Sequence, residues 1–121
     1  MKAEVVTIGL GYIGLPTSAL IASQGTNVLG VDINEKVVET INKGEIHIIE
    51  PDLDSIVFNA VSEGFFKAST EPKEAEVYLI VVPTPFMGNH EPDTSFVEAA
   101  TKSIIPLLKK GDLYIIESTS P

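Results

Sequence analysis

The chain has 121 residues, no cysteine, no tryptophan, and 8 basic against 17 acidic side chains, for a net charge of −9. That length holds one domain with its own core, here expected over residues 1–121. Every basic residue is a lysine, and so acidic a chain offers no basic face for nucleic acid and no polybasic membrane anchor. Without cysteine there is no disulfide, no thiolate zinc site and no nucleophilic thiol. The N-terminal MKAEVVTIGLGYIG interrupts any signal-peptide core with Glu4 and early glycines, and the run Leu79 to Val82 is far too short for a membrane span. A cytoplasmic setting is the expectation.

Short apolar runs alternate with segments of helical spacing. Glu4 to Ile8 reads as a first strand and Ile13 to Gln24 as a helix, with Pro16 in its first turn and Gly25 as its stop. Asn27 to Val31 is a second strand, followed by a helix from Glu35 to Asn42 with Asn34 as N-cap and Gly44 as stop. An irregular stretch from Gly44 to Pro51 leads to a third helix ending near Glu63, with Asp52 or Asp54 as its cap. Phe65 to Ser69 is a weak third strand. Val77 to Val82 is an unbroken Val-Tyr-Leu-Ile-Val-Val run of the kind buried on both faces. Ser95 and Glu98 stand at capping-box spacing before a helix over Phe96 to Leu108, which Pro106 should kink or end early. Leu113 to Ile116 is a fifth strand. Strands separated by helices, with apolar central strands, imply an α/β doubly wound parallel sheet of Rossmann type, and right-handed crossovers give the order 3-2-1-4-5.

Gly9, Gly11 and Gly14 form G-L-G-Y-I-G between the first strand and the first helix. Alone such a match is weak, because glycine is common in turns. The context supplies what the motif's mechanics need: a preceding strand, a following helix, and an acid, Asp32, 18 residues beyond Gly14 and close to the roughly 20 expected. Gly9 permits the tight turn, Gly11 lets backbone amides approach a pyrophosphate, and Gly14 lets the helix pack on the strand. The amides of Tyr12 and Ile13 at the helix N-terminus can hold an anion without a basic side chain. Asp32 accepts from ribose hydroxyls and repels a 2′-phosphate, so the cofactor expected is NAD rather than NADP.

IGLGYIGLP at Ile8 to Pro16, VDIN at Val31 to Asn34, VPTP at Val82 to Pro85 and EST at Glu117 to Thr119 resemble the nucleotide-sugar dehydrogenases of the UDP-glucose/GDP-mannose dehydrogenase family. NKGEIHIIEPDL at Asn42 to Leu53 and HEPD at His90 to Asp93 are most similar to the branch that acts on UDP-N-acetylmannosamine. The resemblance covers essentially the whole chain, matches only the N-terminal, cofactor-binding part of that family, and implies a fold cut after its fifth strand. It implies contacts of Tyr12 and Ile13 with the NAD diphosphate and of Asp32 with the adenosine ribose. It adds Thr84, in a turn stiffened by Pro83 and Pro85 after Val82, and Thr119 near the nicotinamide. The implied reaction oxidises C6 of a UDP-sugar to a carboxylate in two hydride transfers to NAD through a thiohemiacetal on a cysteine. This chain has none, so alone it is expected to be inactive and to contain no catalytic residue.

The two histidines, His47 and His90, are separated by the third and fourth strands and have no carboxylate at metal-ligand spacing on a shared helix, and no metal site is expected. Glu117 reads as a possible base or as a polar strand end, Asp93 and Ser95 as helix caps, and Lys109 and Lys110 as complements to a helix C-terminus. An open sheet edge after the fifth strand favours a homodimer. Three other readings stay open: a sister enzyme acting on UDP-glucose or UDP-N-acetylglucosamine, a hydroxyacyl-type NAD enzyme, and a non-catalytic NAD-sensing module.

Overall fold

Gly9 follows the first strand with φ at 105°, a conformation that side-chain-bearing residues rarely adopt, and that turn sets the first strand–helix crossover. The structure is a computed structural model that describes residues 3–81 and 95–116. In chain order its elements are β1 (Val5–Ile8), α1 (Gly14–Ser23), β2 (Val28–Val31), α2 (Glu35–Asn42), α3 (Leu53–Ser62), β3 (Phe66–Ser69), β4 (Val77–Ile80), α4 (Ser95–Ile104) and β5 (Leu113–Ile116). The strands form one parallel sheet in the order β3-β2-β1-β4-β5, as the sequence predicts. Val5 lies opposite Val28 on one side and Val77 on the other, so the three central strands run in matched register.

The alternation of strand side chains divides the core into two layers. Val5, Val28, Phe66 and Leu79 point to the layer that holds Leu15, Ala19 and Ala22 of α1, Ile41 of α2 and Val57 of α3. Val6, Ile8, Tyr78 and Ile80 point to the opposite layer, closed by Ala100 and Ile104 of α4. All four residues of β1 are buried. The Tyr78 hydroxyl, deep in the second layer, accepts from Ala75 N–H at 2.9 Å and donates to the Leu107 carbonyl at 3.4 Å.

Several boundaries differ from the sequence reading. β4 stops at Ile80, although Val81 N–H still donates to the Ile8 carbonyl at 2.7 Å; Val82 lies outside the described residues. α1 begins at Gly14, one residue later than expected, and Ile13 at its N-cap position makes no side-chain cap bond. Asn34 caps α2 as expected, accepting from Lys36 N–H at 3.0 Å. Asp52 holds the N-cap position of α3 but gives no capping hydrogen bond, because its φ of 63° places it in the left-handed region. Asp54 does not cap either: its carboxylate accepts from the adjacent Ser55 N–H at 2.9 Å. α4 ends at Ile104, and Pro106 falls in the 3-10 turn Ile105–Leu107, the early stop that proline imposes. The Ser95 and Asp93 side chains lie outside the described residues. Lys109 does not lie against a helix end; its Nζ meets Glu74 Oε2 at 2.7 Å, and that hydrogen bond raises its pKa. Both partners are about half exposed, so solvent screens the pair.

Candidate cofactor site

The site grows out of the turn between β1 and α1. Gly9 N–H donates to the Val31 carbonyl at 2.8 Å, which ties the end of β1 to the end of β2. Leu10 then drops inward and is fully buried. Gly30 in β2 makes room for it: a Cβ there would lie 2.7 Å from Leu10 Cδ2. The next residues turn outward, and Tyr12 is 68% exposed. Among the described residues, none accepts from the N–H groups of Gly11, Tyr12 or Ile13. These donors stand at the N-terminus of α1, where the helix dipole favours an anion.

Gly14 explains how the helix comes so close. A Cβ on it would lie 1.8 Å from the Gly9 carbonyl oxygen, so only glycine fits. Gly11 is different in kind: a Cβ there meets nothing within 4 Å, and its backbone is bare toward open space. The first and third glycines serve the fold, and the second serves whatever approaches the turn.

Asp32 follows β2 directly and is partly buried. Its Oδ2 accepts from Leu10 N–H at 3.1 Å and its Oδ1 from Asn34 N–H at 2.9 Å. A carboxylate has about four lone-pair positions, so two remain for further donors. Asp32 and the glycine turn line one cavity of about 580 Å³, within the roughly 300–1,000 Å³ usual for ligand pockets. The cavity lies at the C-terminal ends of the neighbouring parallel strands β1 and β4, whose following helices, α1 and α4, pack on opposite faces of the sheet, the place where such sheets bind ligands.

The sequence reading missed part of this wall. Ile33, which is 86% exposed, together with Thr70 and Pro72 after β3 and Ala99, Ala100 and Ser103 of α4, lines the same cavity. The rule that ligands meet the carboxyl ends of strands, applied to the third strand, would have found residues 70–72; nothing in the local sequence marked the α4 contribution. Of the expected contacts, Gly9, Gly11, Tyr12, Ile13, Gly14 and Asp32 come together here. Val82, Pro83, Thr84 and Thr119 lie outside the described residues, as do His90 and Glu117. His47 is exposed in the loop before α3, away from this cavity. Among the described residues, no three His, Cys, Asp or Glu side chains gather as a metal set.

The donor set is open amides for a diphosphate and a carboxylate for a ribose diol, with no lysine among the described residues of the cavity wall. It fits a dinucleotide. The family model described as the UDP-glucose/GDP-mannose dehydrogenase family, NAD binding domain, matches residues 3–121. The chain belongs to that family and is its NAD-binding domain. A UDP-N-acetyl-D-mannosamine dehydrogenase of Escherichia coli is 62% identical over 98% of this chain, which spans 28% of that protein. An NDP-N-acetyl-D-galactosaminuronic acid dehydrogenase of Ralstonia nicotianae is 56% identical over 97% of the chain, again 28% of its own length. Among solved structures, the UDP-N-acetyl-mannosamine dehydrogenase of Staphylococcus aureus superposes with a TM-score of 0.93 at 44% identity, over 97% of this domain and 29% of that chain. The domain thus spans under a third of the length of the relatives it matches.

Proposed function

We propose that this domain serves a dehydrogenase that oxidises C6 of UDP-N-acetylmannosamine to a carboxylate. The observation that carries the cofactor part is one cavity bringing the open amides at the start of α1 together with the Asp32 carboxylate. The sugar rests on likeness along the whole domain to proteins named for it, and on the NKGEIHIIEPDL and HEPD segments.

In this reading Tyr12 and Ile13 N–H hold the diphosphate, and Gly11 lets it approach the backbone. The two free positions on Asp32 accept from the adenosine ribose hydroxyls. Its charge opposes a 2′-phosphate, and the chain has no arginine to offset that. Thr84, with Val82 and Pro83, and Thr119 complete the contacts from the ends of the fourth and fifth strands. Bound NAD supplies the hydride acceptor. We also propose a cytoplasmic setting, supported by the metabolites the protein would use, and a homodimer of the 121-residue chain, supported by the apolar edge strand β5; among the described residues no helix is long and apolar enough to cross a membrane.

Calorimetric titration is expected to show NAD binding and little NADP binding. Asp32→Ala should weaken NAD by about ten- to a hundred-fold, the loss expected for hydrogen bonds to a charged group. A folded protein that binds no NAD would overturn the site. Full-length protein should form two NADH per UDP-N-acetylmannosamine; faster turnover of UDP-glucose or UDP-N-acetylglucosamine would reassign the sugar. The 121-residue chain alone, having no cysteine for a thiohemiacetal, should give no steady NADH signal.

A further inference from the structure

Asp32 already has hydrogen-bond partners within the protein. Oδ2 takes Leu10 N–H at 3.1 Å, from inside the glycine turn, and Oδ1 takes Asn34 N–H at 2.9 Å, from the residue that caps α2. Leu10 is the buried anchor of the turn, and the next residues, Gly11 to Ile13, carry the open amides. We propose that Asp32 is a positioning residue that latches the glycine turn to the start of α2 and so sets the diphosphate-binding amides, in addition to any contact it makes with ribose. The inference rests on the cofactor reading above.

The chemistry requires a carboxylate. One backbone N–H meets each of its two oxygens, and in that placement both are satisfied only by a group with two acceptor atoms. An asparagine has one acceptor atom, and where the second oxygen stood its amide nitrogen would present a donor to the second N–H. One of the two links then breaks. If it is the Leu10 link, the turn loses its fixed register against β2, and the amides that follow lose their aim. The consequence is distinctive: Asp32→Asn weakens the grip on a part of the dinucleotide that Asp32 does not touch.

The test uses the full-length protein, with NAD and its 2′,3′-dideoxyadenosine analogue, which has no adenosine ribose hydroxyl for Asp32 to hold. Asp32→Asn is expected to weaken the analogue as well as NAD, by about ten-fold. Hydrogen exchange should speed up at Leu10 and within residues 9–14 and 34, with β1 and β2 unchanged. Equal binding of the analogue to wild type and variant would show that Asp32 acts through ribose alone and overturn the latch. Faster exchange throughout the sheet would also overturn it, because the effect would then be general destabilisation. Wild-type protein that binds no NAD would overturn the cofactor reading itself. Should the variant fail to fold, the wild-type protein without cofactor decides. Leu10 and Asn34 amides exchanging far more slowly than that of Tyr12 support the latch, and equal exchange rates overturn it.

Discussion

Gly11 and Gly14 stand three residues apart in one motif, yet the space around them assigns opposite duties. A methyl on Gly14 would press to 1.8 Å on the Gly9 carbonyl oxygen and 2.8 Å on its carbon, both backbone atoms. That backbone is held by the Gly9 N–H bond to Val31 and cannot retreat freely. Gly14→Ala should therefore cost about 3 kcal/mol of stability, the upper part of the usual overpacking range, in chemical denaturation. Gly11→Ala meets no atom within 4 Å, and its φ is not in the left-handed region. Its stability should change by less than about 1 kcal/mol, while NAD affinity falls because the methyl stands where the diphosphate approaches. Normal NAD binding by Gly11→Ala would mean that the diphosphate keeps away from this backbone. The spacing of the glycines was legible in the sequence; the burial of Leu10 against Gly30 was not, because it depends on which strand lies beneath the turn.

At the scale of elements, the side chain of Asn42 does work usually left to a strand. Among the described strands β3 is an edge of the sheet, paired with β2 alone. Asn42, the last residue of α2, donates from Nδ2 to the Ala68 carbonyl at 2.9 Å and accepts from Ala68 N–H at 2.9 Å. The side-chain amide thus closes the open side of β3 as a neighbouring backbone would, and blunts that edge against pairing with another chain. Asn42→Ala removes both bonds and should cost about 1–3 kcal/mol in urea denaturation; an unchanged midpoint would show that water replaces the amide at no cost. Sequence alone read Asn42 as the end of a helix and the start of NKGEIHIIEPDL, not as a partner of β3, since pairing across 26 residues leaves no local trace. The α1 boundary failed for a more instructive reason. Helix starts are read from capping side chains, and Ile13 makes no side-chain cap bond, leaving the end open to a ligand. At Asp52 a capping residue type is present, but the left-handed turn into α3 denies it the bond. Where propensity and burial agreed, as in the apolar runs of β1 and β4, the elements and the order of the whole sheet followed from pattern alone.

The whole molecule is protected unequally at its two sheet edges. At the edge opposite β3, β5 pairs among the described residues with β4 alone and carries Leu113, Ile115 and Ile116 at 53, 39 and 49% exposure. Tyr114 faces α4 and shares a hydrogen bond with Thr101, so that face is partly covered. Leu113 and Ile115 point to the other face of the sheet, where the packed helices, α1 to α3, lie over the strands β1 to β3. An apolar strand whose outer backbone groups have no partner among the described residues is a template for a second copy. Against this stands the charge of −9 on each chain, which repels another copy at low ionic strength. Salt screens that repulsion, with a Debye length falling from about 30 Å at 0.01 M to about 10 Å at 0.1 M, and leaves the burial of apolar surface in place. The 121-residue chain should therefore associate more strongly as salt rises, the reverse of an interface built on opposite charges. Sedimentation velocity at low and high salt checks this, with Ile115→Lys as the control that places a charge on the strand. Association that weakens with salt, or that survives Ile115→Lys unchanged, would mean that copies meet through some other surface.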